Sequence, residues 1–390
     1  MEFTLSEEHR LIQETARRIA KEKIAPRAAE IDETQEYPHD VFAAFKETGL
    51  TGLTIPQQYG GSGSGMFSLA LAVEEAAKYC CASGLMLLLS ALPTQPVMIG
   101  GDERQKKWIG EGVASGAIKG AFCLTEPNHG SDAANLETRA VRDGDDYILN
   151  GEKMYISGGT VADYVVAFAR TNGTPGPGPK GISAFIVDAK SPGFRVAGQD
   201  RKMGVRGVPT ADIVFEDVRV PRENLVGGAE GAGFNHAMLT LNSCRPVVGA
   251  RGLGLAEGAM TYALEFARKR EAFGQPIANL QAIQFMFADM AIQIEAARLL
   301  VYQGAWRVDQ GKYQREDAAY LSIAKVHATE VGLKVSSDAL QVLGAQGYMM
   351  DHPLERHYRD ARQLMIVEGT SQVQRVVIAR SLLERELVYP

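Results

Sequence analysis

Tyr147-Ile148-Leu149-Asn150-Gly151-Glu152-Lys153-Met154-Tyr155-Ile156 is the stretch on which the fold turns. It is rich in β-branched and aromatic residues, the composition of a strand. Three similar runs follow at 164–169, 182–187 and 213–215. Asp143-Gly144, Asn150-Gly151 and the Gly/Pro-rich segment 174–181 punctuate them as turns. The central third therefore reads as an antiparallel β domain, and outward from it the period changes on both sides.

Upstream the chain reads as helical. Thr4 and Glu7 are spaced as a capping-box pair, and Leu11, Ile12, Ala16, Ile19 and Ile24 recur at helical intervals up to Pro26. A short helix over 41–50 stops at Gly49. A glycine-rich loop over 56–65, an Ala/Leu-rich stretch over 66–92 and a charged helix over 102–112 follow. Downstream of Gly233 the helical period returns. Ile283, Phe287, Met290, Ile294 and Ala297 form an apolar stripe, and Pro246, Pro276 and Pro353 mark boundaries or kinks. The expected architecture is α+β: an N-terminal helical domain (1–120), a middle β domain (121–232) and a C-terminal helical bundle (233–390).

Composition narrows the function. The formal charge is −6, with Lys and Arg interspersed among acids, which argues against a nucleic-acid or anionic-membrane surface. The most apolar run, 85–92, is broken by Ser90, closed by Pro93 and far below the roughly 20 residues of a membrane span. The four cysteines lack CxxC spacing, and with no visible targeting segment a cytoplasmic protein is expected.

Gly60, Gly61, Gly63 and Gly65 have helices on both sides, so they do not form a dinucleotide fingerprint. Gly249, Gly252 and Gly254 sit in a helical pattern and suit close helix packing. His352 and His357 are five apart with Pro353 between them, and no metal site is expected. No GxSxG elbow is present for a hydrolase. His129 lies in a turn whose default role is structural. Glu368 stands out because it emerges from Leu364-Met365-Ile366-Val367 and precedes Gly369. An apolar setting raises a carboxyl pKa and suits a general base. From the pattern alone, it could equally be an acid at a helix N-terminus beside a Thr370 cap.

Three separated motifs carry a resemblance over the whole chain. They are Leu124-Thr125-Glu126-Pro127 with Gly130-Ser131-Asp132; Arg270-Glu271-Ala272-Phe273-Gly274; and Arg359-Asp360-Ala361 followed by Val367-Glu368-Gly369-Thr370-Ser371-Gln372 and Ala379-Arg380. In this order and layout the chain resembles the acyl-CoA dehydrogenase family. The resemblance implies a C-terminal four-helix bundle, a homotetramer, and FAD held between the β domain and the bundle. Phe122, Leu124, Thr125 and Ser131 are expected at the flavin or substrate, and Tyr155 and Ser157 at the flavin edge. Arg270, Phe273 and Gln281 would reach a neighbouring subunit's FAD. Gln341, Gly344, Ala345, Thr370 and Gln372 complete the expected cofactor contacts; Ser131, Asn242, Arg245 and Gly369 are those expected for substrate.

By the same resemblance, Glu368 takes the α-proton of an acyl-CoA thioester while the β-hydrogen leaves as hydride to the flavin, and electrons pass to an electron-transfer flavoprotein. Its backbone N–H and a ribityl hydroxyl of the flavin would stabilise the thioester oxygen. Several residues depart from the family pattern: Tyr155 for tryptophan, Ser157 for threonine, Asn242 for aspartate and Ala345 for glycine. Cys244 stands where some members carry an alternative base. The loop with Asn128 and His129 is similar to that of glutaryl-CoA dehydrogenases. No arginine is visible in 85–92 to hold a second carboxylate, so an uncharged acyl group is expected. The rival readings are an oxidase or monooxygenase on the same fold, or a non-catalytic flavin-binding member.

Overall fold

The computed structural model describes residues 4–171 and 178–384; residues 174–177 of the expected Gly/Pro-rich turn lie outside the described residues. Among the described residues seven α-helices come first: α1 (Glu7–Ile19), α2 (Ala28–Thr34), α3 (His39–Glu47), α4 (Gly65–Ala77), α5 (Cys81–Ala91), α6 (Gln95–Gly100) and α7 (Glu103–Ala114). The cap of α1 is Ser6, whose hydroxyl accepts the His9 N–H at 3.2 Å, rather than the expected Thr4/Glu7 pair. A true capping box sits one domain-length later, where Asp102 and Gln105 satisfy each other's backbone at the start of α7. The apolar stretch 66–92 is two helices, broken at Lys78–Cys80. Cys81–Gly100 has the length and apolarity of a membrane span, but most of it is buried in the core.

The described residues then form seven strands: β1 (Gly120–Cys123), β2 (Arg139–Asp143), β3 (Asp146–Ser157), β4 (Tyr164–Thr171), β5 (Ile182–Asp188), β6 (Phe194–Gln199) and β7 (Thr210–Pro221). They form one sheet in the order β1-β4-β2-β3-β7-β6, with β5 also paired to β4. Most pairings are antiparallel as expected, but β4 runs parallel to both β1 and β2, so the sheet is mixed. Period-2 alternation reports which face a side chain takes, not the direction of the neighbouring strand. Asp143-Gly144 makes the expected turn between β2 and β3. Asn150-Gly151 does not: it is a bulge inside β3, where a Cβ on Gly151 would lie 2.5 Å from the Thr138 hydroxyl.

The chain closes with α8 (Gly233–Lys269), a hairpin of β8 (Glu271–Ala272) and β9 (Gln275–Pro276), then α9 (Gln281–Asp309), α10 (Ala318–Leu343), α11 (Leu354–Leu364) and α12 (Ser371–Glu384). Pro246 lies within continuous α8 and marks no boundary. α10 packs on α8, α9, α11 and α12, while α4 packs on α8 and α9 and ties the first domain to the bundle. Glycines permit this closeness. A Cβ on Gly252 would lie 2.6 Å from the Ala328 carbonyl oxygen, and one on Gly254 would lie 2.1 Å from that of Glu74. All three domains meet at the third motif. Arg359 binds Asp32 of α2, Glu355 of its own helix and the Met203 carbonyl, while the Asp360 carboxylate accepts the Val205 N–H at 2.6 Å.

Candidate active site

Glu368 sits on the turn between α11 and α12, at φ 52°. The residue is half-buried, yet its Oε2 is buried without any hydrogen-bond partner. The turn is held by its carbonyls. The Gln374 amide donates to the oxygens of Glu368 (3.0 Å) and Gly369 (3.2 Å), and Lys325 Nζ donates to Gly369 at 2.9 Å. Among the described residues nothing accepts the Glu368 backbone N–H, which leaves it as a donor for a ligand. Gly369 is required twice over: φ is 93°, and a Cβ would lie 2.4 Å from Gln374 Nε2. Thr370 caps α12 by accepting the Val373 N–H at 3.1 Å, so the alternative reading was right about the cap. It does not account for an unpartnered carboxylate oxygen two residues earlier.

Burial pushes the Glu368 carboxyl up to about 7, and the charges of Arg251, Lys325 and Arg245 only partly oppose it. The same desolvation pushes Lys325 down to about 8 and Arg245 down to about 10, against the attraction of Glu368. The Cys244 thiol, buried and facing the field of Glu368, is raised and stays protonated. Glu368 is therefore a base that can hold and release a proton near neutral pH.

Asn242 and Arg245 are both buried on α8 and bound to each other. Arg245 Nη1 donates to the Asn242 side-chain oxygen (2.7 Å) and to Ser322 Oγ (3.1 Å), and the Asn242 amide donates to the Tyr313 carbonyl (3.0 Å). A substrate amide would have to share the Asn242 oxygen with Arg245. Arg251, two turns further along α8, is wholly buried and faces the same carboxylate. The sequence reading missed it because it looked for an arginine on the 85–92 segment, whereas this one reaches the site from another helix.

The β domain carries a second group of the expected contacts. Phe122 is half-buried on β1 and Leu124 is buried just beyond it; Thr125 is tied to β3 by a 2.9 Å bond from the Met154 N–H to its carbonyl. A register shift between Lys153 and Ile156 turns Tyr155 outward, at φ 61° and 62% exposed, with Ser157 half-buried beside it. Beneath the loop, Lys153 Nζ donates to Glu126 (2.8 Å) and to the Leu124 carbonyl (3.2 Å). Glu126 also accepts the N–H groups of Glu137 and Thr138. Burial acts to raise Glu126, but Lys153 and these donors outweigh it and hold the carboxyl below its usual value. The expected contacts Phe122, Leu124 and Thr125 thus lie against the strand that carries Tyr155 and Ser157.

The remaining expected contacts lie at the surface. Ser131 is exposed on its loop. Arg270 ends α8 and Phe273 stands at the hairpin tip, 91% exposed with φ 54°. Gln281 begins α9; Gln341, Gly344 and Ala345 are exposed at the end of α10, and Gln372 is exposed on α12. Among the described residues, Tyr155, Phe273 and Glu368 are three of six non-glycine residues with positive φ, the strained geometry that clusters at functional sites. An aromatic edge, exposed polar groups and an arginine suit a flat, amphipathic cofactor with a pyrophosphate, and the residues present fit FAD.

Residues 6–117, 121–218 and 231–383 match the N-terminal, middle and C-terminal domains of acyl-CoA dehydrogenases. The chain belongs to the acyl-CoA dehydrogenase family, whose members are oxidoreductases. It is 42% identical over 385 residues to the probable acyl-CoA dehydrogenase YngJ of Bacillus subtilis, covering 98% of this chain and 100% of the relative. Butyryl-CoA dehydrogenase from Megasphaera elsdenii superimposes with a TM-score of 0.94 at 38% identity, over 98% and 100% of the two chains. A chain from a structure reported as the electron transferring flavoprotein of Acidaminococcus fermentans gives 0.95 at 42% identity, over 99% and 100%.

Proposed function

We propose that the protein oxidises an acyl-CoA thioester to the 2-enoyl-CoA, with Glu368 as the base. The observation that carries the reading is a buried carboxylate oxygen, tuned to about 7, beside a backbone N–H, and among the described residues neither has a partner. Glu368 removes the α-proton of the thioester, and its own N–H offers a hydrogen bond to the carbonyl oxygen as negative charge develops there. Lys325 and Gln374, by holding the adjacent carbonyls, keep that N–H aimed. The cofactor is FAD, which supplies a hydride acceptor when bound. Phe122, Leu124, Thr125, Ser131, Tyr155 and Ser157 would face its ring, and Thr370, Gln372, Gln341, Gly344 and Ala345 its remaining length. Asn242, Arg245, Ser131 and Gly369 would contact substrate.

Two exposed apolar features support assembly. Phe285, Ile292, Leu299 and Trp306 repeat every seven residues along the outer face of α9, each about half exposed or more. Such a row is an interface in search of a partner helix. Phe273 at the hairpin tip suits seating on another copy, with Arg270 beside it for that copy's pyrophosphate. A homotetramer sharing its FAD sites accommodates both. The electron acceptor is an electron-transfer flavoprotein, and the four unpaired cysteines support a cytoplasmic setting.

The test is an anaerobic panel of acyl-CoA esters mixed with the flavin-loaded enzyme. At least one ester is expected to bleach the yellow flavin at once, and the reduced enzyme should reoxidise faster with electron-transfer flavoprotein than in air. No bleaching with any ester would overturn the dehydrogenase reading, and rapid reoxidation by air alone would favour an oxidase.

A further inference from the structure

Arg251 is the largest of the fully buried side chains. Its Nη2 donates to Gln363 Oε1 on α11 at 3.0 Å and approaches Cys81 Sγ, at the start of α5, at 3.5 Å. Among the described residues its Nε and Nη1 have no partner. A guanidinium stripped of water and left with open donors is costly, and native proteins keep such a group when something completes it. Two more cations share the region: Arg245, whose Nε is also unpartnered, and Lys325, whose Nζ is bound to a neutral carbonyl. Among the described residues none of the three is within ion-pair distance of a carboxylate. Glu368 is the acid whose field acts most on Arg245 and Lys325. Glu368 is the acid that all three of these buried cations act on, while Glu330 acts more weakly on Lys325 and Asp360 acts on Cys81 beside Arg251.

The wall beside Arg251 is α5, whose residues 85–89 are apolar. Gly84 of α5 lies directly beside Arg251, since a Cβ there would be in ordinary contact with Arg251 Cγ at 3.6 Å. Beside that apolar wall Arg251 offers a buried charge and, among the described residues, two open donors, which suit a carboxylate. We propose that Arg251 receives a carboxylate carried by the acyl chain, so that the substrate is the CoA thioester of a short dicarboxylic acid. This rests on the dehydrogenase reading above and names its substrate class. The chemistry is unchanged: the α-proton goes to Glu368, the β-hydrogen leaves with its electron pair for the flavin, and the distal carboxylate is a handle that fixes the chain.

The experiment compares kcat/KM for matched pairs on the holoenzyme with an artificial electron acceptor: succinyl- against butyryl-CoA, glutaryl- against valeryl-CoA, adipyl- against hexanoyl-CoA. At one chain length the dicarboxylic ester should exceed its neutral partner by about tenfold or more. The Arg251→Met variant should lower that ratio by about 100-fold, the range for a site deprived of a built polar contact. Arg251→Lys should recover part of it. A neutral ester preferred at every length would overturn the proposal, as would Arg251→Met lowering both members of a pair in proportion, the mark of a purely structural role. If that variant does not fold, the wild-type ratios decide alone. Bleaching by neutral esters only sinks this inference and spares the dehydrogenase reading, whereas no bleaching by any ester sinks both.

Discussion

Replacing Glu368 by glutamine removes the ionisable group while keeping its shape, and its effects on rate and stability run in opposite directions. The carboxyl titrates near 7 in the folded protein against an ordinary value of 4.5, with burial as the main cause. That difference corresponds to roughly 3 kcal/mol favouring the neutral form. The folded state therefore binds the proton more tightly than the unfolded chain, and stability is lost as pH rises from about 4.5 through about 7. At pH 8 the wild type should carry the full penalty, and Glu368→Gln should be more stable by up to about 3 kcal/mol, a melting temperature higher by a few degrees. At pH 4 the two should melt together. Turnover behaves conversely. The wild-type rate should fall tenfold per pH unit below about 7, reaching about 100-fold at pH 5, whereas the variant should lose about 10²–10⁴-fold at pH 8 and keep its flavin. Thermal scans and pH–rate profiles on the flavin-loaded enzyme measure both. A wild-type rate flat from pH 5 to 8, or a variant whose stability advantage over wild type is no larger at pH 8 than at pH 4, would refute the assignment of a dry, raised carboxyl.

Three further substitutions probe the frame. Gly369→Ala meets a φ of 93° and the Gln374 amide, and should cost about 1–3 kcal/mol in thermal stability together with most activity; an active variant of native stability would show that the turn is free to move. Lys153→Met leaves Glu126 buried without its cation and should destabilise by about 3–5 kcal/mol in denaturant, with the double variant carrying Glu126→Gln recovering part. Arg270→Ala should weaken flavin retention and assembly together, read as flavin absorbance per chain and as mass in solution; a fully flavinated tetramer would contradict a cofactor site shared between copies.

Motif order and periodicity carried much of the architecture. The change from period 3.6 to period 2 near Phe122 and back near Gly233 marked three regions, because burial of one face leaves its period in the sequence whatever it packs against. Glu368 was legible as a carboxylate leaving an apolar run, and the glycines of α8 were legible as close-packing positions. Other features were settled only by the folded chain. Pairing direction, the bulge at Asn150-Gly151 and the Ser6 cap depend on neighbours that local pattern does not name. The Ile283–Ala297 stripe was visible, while the opposite row from Phe285 to Trp306 became meaningful only once α9 was seen to leave it uncovered. Arg251 is the clearest case. In sequence it is one basic residue in a long helix, and only the packing of α8 against α5 and α11 strips it of water, leaves two of its nitrogens without a partner and sets its charge beside Glu368. A residue's type is written in the chain, but the solvent it loses and the charges it faces are properties of distant segments brought together.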